Sequence, residues 1–518
     1  MPLMERASYI SLFPEGSNKK TVAELQTLVK RCAKAYSFTQ SMFEYKTLQL
    51  SKSNCTRLAE MLIDFALDIH SGSGLWAALE KCNTELFGTP LPLVHDGKTE
   101  LPPGICAERV QFFLWNLYQQ FIPDYVFSHN HSDILIATEQ VTQFLNEFLP
   151  PLPTVSPIKE FLDKSNDYGW EIKKKLIWVG TKSYLFRLLF AEYIDEHHDG
   201  EIGISAIDDF ICQNTTLWSG LGANDILAAC LDIPEERREE LRSWYLRHMA
   251  FYRIVKAGKE FTEAVNLINN TSYRIRENAP GITHEKFMRP NMIIYGSLTP
   301  WRGEWYWSGE VYDFTPLPAD EFADVIRQAK QTTRIVARYW KEREELVRQR
   351  GEEFYQQTLK FYGNDLIEFP NGKAYQRGET KRFMEHAKSL GRMGQMPNMS
   401  LPEDLLACNN GIAMFIDPVE GQEMMHEFND VKTGLQRNGK GWTPDEGMLI
   451  REFIYSDSIC PAFVHRVLKE YGGEETVKSV FALKTDEPYW LEYLMRCHKG
   501  EYYRRRFPCI DIVDSEGG

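Results

Sequence analysis

Cysteine chemistry is the first thing this chain lacks. Its ten cysteines are scattered from Cys32 to Cys509 with no C-x-x-C pair and no dense cluster, which excludes a disulfide framework and a zinc ribbon. Free cysteine packs as a small buried hydrophobe, so a reduced, cytoplasmic protein is expected. A long apolar run is missing too: no stretch of 18 uninterrupted apolar residues occurs, and the segment from Met1 to Arg6 has no basic-then-apolar pattern. Neither a membrane span nor an export signal is expected there. Positive charge is in deficit, with a formal net charge of −14, which opposes binding of the whole surface to phosphate or to anionic lipid. Any anion site must be local. Phosphate-loop chemistry is absent as well, because Ser219-Gly-Leu-Gly-Ala-Asn224 lacks the lysine and the spacing, and no G-x-S-x-G elbow appears.

What is present fits a globular chain of several domains. At 518 residues the sequence exceeds a single ordinary core of about 100 to 200 residues. Apolar residues at three- and four-residue steps predict helices over Val22–Tyr36, Cys55–Ile69, Gly74–Phe87 and Ala107–Phe121. Four prolines between 149 and 157 remove backbone donors and block helix, marking a boundary. Helical rhythm resumes from Ile158 to about Asn278, clearest over Trp178–Tyr193, Ala206–Leu217 and Pro234–Val265. Residues 291 to 314 predict a β-hairpin crowded with Trp301, Trp305 and Trp307. The strongest helical pattern runs from 319 to 362, with Gly351 a point where it could kink or split. Short strands are expected at Leu366–Phe369 and from Ala413, around a Gly-, Met- and Pro-rich loop at 391–402. Helices return over Pro444–Phe507, one ending near a capping Gly500, before a final strand at Ile510–Val513. The fold class expected is α+β, predominantly α. Four domains are read: helical at 1–150 and 158–285, hairpin plus long helix at 286–400, and mixed α/β at 401–518.

Chemistry-bearing residues fall into a few groups. The three tryptophans offer apolar area with indole donors, suited either to a core or to a flat recognition surface. Arg327, Lys330, Arg334, Arg338, Lys341 and Arg348 recur at helical steps and form a cationic ridge, although neighbouring glutamates are placed to pair with it. Arg504, Arg505 and Arg506 stand among Tyr502, Tyr503 and Phe507, a mixture that fits a nucleic-acid strand or simply seats the chain's last segment. His129, His131 and Asp133 follow the H-x-H-x-D order of metal-dependent hydrolases, yet suit a polar loop capping the next helix better. His197 and His198 lie in an acidic segment that reads as a solvated helix end stopped by Gly200. Asp417, Glu420, Glu423 and Asp430 are carboxylates near one turn, where solvation is the ordinary fate.

These features favour a non-enzymatic interaction or regulatory protein, anchored by the tryptophans and the cationic ridge, with another protein as partner. A nucleic-acid-associated protein is the alternative, and a hydrolase holding a divalent metal the second. No cofactor is expected, no catalytic residue is assigned, and no membrane contact is expected.

Overall fold

The computed structural model describes residues 19–150, 157–277, 287–315, 318–331, 340–389 and 401–509. The chain is 57% helix and 12% strand with two small sheets, a predominantly helical α+β fold. It divides into two units, Met1–Pro316 with Lys484–Cys497, and Leu317–Leu483 with His498–Gly518. Among the described residues no helix is long and apolar enough to cross a membrane.

Among the described residues the first unit opens with helices: α1 (Lys19–Thr39), α2 (Lys52–Ser71), α3 (Leu75–Phe87), α4 (Ala107–Phe121), α5 (Ser132–Phe148), α6 (Pro157–Leu162), α7 (Gly169–Lys182), α8 (Arg187–His197), α9 (Ile204–Gln213), α10 (Ala223–Cys230) and α11 (Glu235–Arg242). Their apolar faces meet in an aromatic core in which Phe65 stacks on Phe113 (4.4 Å) and Phe113 on Trp218 (6.0 Å). Burying rings of this size supplies much of the driving force for packing helices. The helix expected over Trp178–Tyr193 is two helices, because Ser183 is extended (ψ 153) and closes the first.

Five strands follow: β1 (Met249–Ala257), β2 (Phe261–Asn266), β3 (Ser272–Arg276), β4 (Ile293–Trp301) and β5 (Glu304–Asp313). They close into a barrel in the order β1-β2-β3-β5-β4, antiparallel throughout except for the β3–β5 pair. The expected hairpin is β4–β5. Its turn, Arg302-Gly303, has positive φ at both residues (57° and 76°), the two-residue geometry whose twist matches that of the flanking strands. The helix expected over Pro234–Val265 is corrected: it stops at Arg242, and after a 3-10 turn the chain enters β1. In β2 the buried positions are Thr262, Ala264 and Asn266, while Phe261 and Val265 lie half-exposed, so the strand's inner face is not its most apolar one. An extra residue at Val255 interrupts the β1–β2 pairing between Ile254 and Lys256, the kind of bulge that increases twist and bends a strand.

The second unit comprises α12 (Ala319–Gln331), α13 (Lys341–Tyr362), β6 (Leu366–Phe369), α14 (Gly372–Ser389), α15 (Glu403–Ala407), β7 (Ile412–Asp417), β8 (Gly421–His426), α16 (Phe428–Gln436), α17 (Pro444–Tyr455), α18 (Pro461–Tyr471) and α19 (Glu474–Val480). Helix α20 (Trp490–Lys499) lies mostly in the stretch assigned to the first unit. The antiparallel sheet β6-β7-β8 has β7 at its centre, buried on both faces. Ile412, Met414 and Ile416 pack with Phe369, Tyr375 and Leu405 on one side, and Phe415 stacks on Phe463 (5.1 Å) on the other. The single helix expected over 319–362 is corrected as well. Trp340 is extended (φ −131°, ψ 92°) and starts α13 afresh, whereas Gly351 lies inside α13 without breaking it. One apolar face shared by two segments does not require a continuous backbone. Gly500 begins a 3-10 turn rather than capping α20. The expected strand at 510–513 and most of the 391–402 loop lie outside the described residues.

Candidate functional site: the two sides of the barrel

The barrel interior holds Tyr252, Ile254, Ala264, Ile275, Ile294, Leu298 and Trp307, with Trp305 and Tyr273 packed against them. Side chains alternate along a strand, so the neighbouring residues form the outer surface. That surface has two unlike sides.

Over Ser297–Trp301 of β4 and Trp305–Ser308 of β5 the outer side is covered by helices, while Gly309, Val311, Tyr312 and Asp313 at the end of β5 are exposed. Lys173 of α7 pairs with Asp208 of α9 and donates to Ser308 Oγ (2.8 Å), which itself donates to Asp208 (3.0 Å). Arg247 places Nε 2.9 Å from Asp208, donates to Ser297 Oγ (3.0 Å) and pairs with Asp209. Lys173, Asp208, Arg247, Ser297 and Ser308 are all buried, and burial pulls both cations below their ordinary pKa. A serine beside a lysine and an aspartate is a nucleophile constellation by residue type. Here Ser308 is 2% exposed and both roles of its hydroxyl are engaged, so the group ties barrel to helices. Further along the hairpin, Trp301 Nε1 donates to the Asn166 carbonyl (2.7 Å) and Trp244 Nε1 to that of Pro300 (2.7 Å). The Arg302 and Gly303 amides donate to Glu240 (2.8 and 3.2 Å), and Arg302 pairs with Asp167. Gly169 lies flat on the Tyr306 ring, where a Cβ would come within 2.5 Å of Tyr306 Cγ.

Lys175 fixes the 162–166 loop beneath the hairpin turn. Its ammonium donates to the carbonyls of Leu162 and Lys164 (both 2.6 Å) and to Asn166 Oδ1, and burial lowers its pKa to about 8.

On β1, β2 and β3 the outer side is open. Arg253, Val255, Lys256, Glu263, Ser272 and Arg274 are exposed, and Phe261, Val265 and Arg276 are partly so. The register sets Arg253 opposite Val265, Glu263 between Lys256 and Arg274, and Phe261 opposite Arg276. The Arg274 guanidinium lies 3.6 Å from the centre of the Phe261 ring. Arg276 lies over Tyr168 (4.8 Å) and pairs with Glu304 (2.6 Å), whose hydrogen bond raises its pKa further. Among the described residues Arg253, Lys256 and Arg274 form no ion pair.

The residues singled out from sequence fall elsewhere. Trp301 and Trp307 are buried and Trp305 is half-buried, edge-on to Tyr273 at 5.0 Å. The tryptophans are thus core and anchor, not a platform, because the barrel closes around two of them and the helices cover the third. Arg327 is exposed beside Asp324 (2.9 Å), Lys341 is exposed at the start of α13, and Arg348 pairs with Glu344 (2.8 Å). Lys330 lies in α12, while Arg334 and Arg338 are outside the described residues. The continuous ridge is broken with the helix. Arg505 pairs with Glu344 (2.7 Å) and Arg506 grips Glu420 with two nitrogens (2.7 and 2.8 Å), while Arg504 is half-buried. Those contacts seat the segment.

The metal candidates are engaged in helix ends. His131 caps α5 by accepting from the Asp133 amide (3.2 Å), and the Asp133 carboxylate accepts from the Glu44 and Tyr45 amides (2.8 and 3.0 Å). His129 is buried edge-on to Trp115, and burial lowers its pKa to about 4. His197 stacks on Tyr193 (4.6 Å) in the last turn of α8, with His198 at its cap. Among the described residues no three His, Cys, Asp or Glu side chains are placed to hold a metal ion. The acidic turn is structural too: Asp417 accepts the Val419 and Glu420 amides, and Glu423 accepts the Cys460 amide at the start of α18.

A mainly helical protein carrying a half-covered, five-stranded barrel is the class these observations define. Residues 9–213 match the family described as "Protein of unknown function (DUF3843)", a region that ends before the first strand of the barrel. No curated protein matches the chain, and no solved structure does.

Proposed function

We propose that the protein is a non-enzymatic binding protein that holds a single nucleic-acid strand across the open β1–β3 side of its barrel. The observation that carries this reading is the exposed set Arg253, Lys256 and Arg274, unpaired among the described residues, beside the Phe261 ring. Cations track phosphates, and an aromatic or a guanidinium plane stacks on a base of any sequence. The topology adds support by analogy. Strands β4-β1-β2-β3 form a Greek key closed by β5, the architecture of OB-fold barrels, whose β2–β3 side commonly receives oligonucleotides or oligosaccharides. An acidic whole with one cationic side also keeps binding local.

Fluorescence anisotropy with a labelled single strand tests the reading. The triple variant Arg253→Ala, Lys256→Ala, Arg274→Ala is expected to lose most affinity. The slope of log K against log salt should become shallower by about 2, near 0.7 for each contact removed. An unchanged affinity and slope would end this proposal.

A further inference from the structure

The second unit carries a basic surface of its own on α14. Lys373, Arg377, Lys381 and Lys388 are exposed, and their spacing of four, four and seven residues sets them within an arc of about 80° on one helix face. They run along about 22 Å of the axis, the first three at steps of about 6 Å. Among the described residues none of the four has an acidic partner, and Lys381 faces only the Phe361 ring, at 5.9 Å. The acids of this helix lie off the stripe: Glu379 is buried and held by Arg382 (2.7 Å), and Glu385 projects beyond its edge. The opposite face is committed to the fold, with Tyr375 in the core of the β6-β7-β8 sheet.

The geometry points to this stripe as a docking surface for the sugar–phosphate backbone of a nucleic acid. A straight row of like charges matches a row of phosphates, and each neutralised phosphate releases counterions. A protein interface would instead centre on apolar and aromatic side chains with charge depleted. Lipid insertion requires an apolar face directed outward. Here only Phe383 and Met384 are large, apolar and exposed on the helix, and Met384 alone shares the stripe. The surface is independent of the barrel side, standing on different residues in a different unit.

The test uses the full chain carrying Lys373→Gln, Arg377→Gln, Lys381→Gln and Lys388→Gln, with circular dichroism melting to confirm an unchanged fold. Binding to a labelled duplex and to a labelled single strand of the same sequence is measured over a salt series, beside the barrel triple variant. The expected result is a salt slope shallower by about 3 to 4 on whichever form the stripe contacts, near 0.9 per cation for duplex, with affinity at low salt reduced at least tenfold. Loss on the duplex alone assigns the stripe to double strands, and loss on the single strand alone to single strands. Unchanged slopes on both, or capture only by vesicles of anionic lipid, overturn the inference. If the barrel variant binds like wild type while the stripe variant does not, the barrel reading fails and this one stands. The reverse pattern fails this one alone.

Discussion

The covered and open sides of the barrel are built on one sheet and treat charge in opposite ways. Against β4–β5, Lys173, Arg247 and Asp208 are buried beside the Ser297 and Ser308 hydroxyls, where each polar atom left alone would be costly. On β1–β3, Arg253, Lys256 and Arg274 stand in solvent, where an ion pair would add little to stability. Buried charges therefore report on architecture, and solvated unpaired ones are free to meet a ligand. A polar cluster seen only as residue types does not distinguish the two.

The largest expected effect is on the covered side. Asp208→Ala leaves Lys173 and Arg247 buried without their shared carboxylate and should cost about 3–5 kcal/mol, read from urea unfolding. Trp301→Ala should cost about 3–5 kcal/mol by emptying a filled site and releasing the Asn166 carbonyl. Either variant unfolding at the wild-type midpoint would erase the contrast between the sides.

Acid should distinguish enclosed groups from open ones. His129 is neutral in the folded chain because burial lowers its pKa to about 4, whereas the unfolded chain binds that proton near pH 6.5. Its stability contribution is therefore complete above about pH 6.5 and is lost as pH falls toward 4, amounting to at most about 3 kcal/mol. His129→Gln should flatten that part of the wild-type stability profile, and an identical profile would show that the ring is not enclosed.

Smaller effects belong to the open side. Arg253→Ala and Arg274→Ala should each change stability by no more than about 0.5 kcal/mol while weakening strand binding. Smallest of all, Glu263→Gln removes the acid set between Lys256 and Arg274. It should tighten binding a few-fold with stability unchanged; weaker binding would mean that Glu263 itself contacts the ligand.

Much of the helical framework was legible in sequence, because helices α1 to α4 each carry an apolar stripe at helical period. The β4–β5 hairpin was legible from its turn and its aromatic density. The rest of the barrel was not, since β2 buries Thr262, Ala264 and Asn266 and shows no apolar alternation. The buried network was also hidden: Lys173 and Ser308 meet across 135 positions of chain. Whether the tryptophans were core or surface depends on barrel closure, a non-local event that composition does not encode. The basic stripe on α14 did leave a signal in the four-residue spacing of Lys373, Arg377 and Lys381. The ridge expected on 319–362 shared that signal but lost its continuity at Trp340.

The bulge at Val255 separates shape from pattern. Excising this single residue would leave Ile254 facing Ala264 and Lys256 facing Glu263, so every remaining side chain would keep its present face. What would vanish is the bend that the extra residue puts into the β1–β2 pairing. A chain shortened there keeps its inward and outward code intact and tests whether curvature, apart from hydrophobic order, is what seals a cylinder.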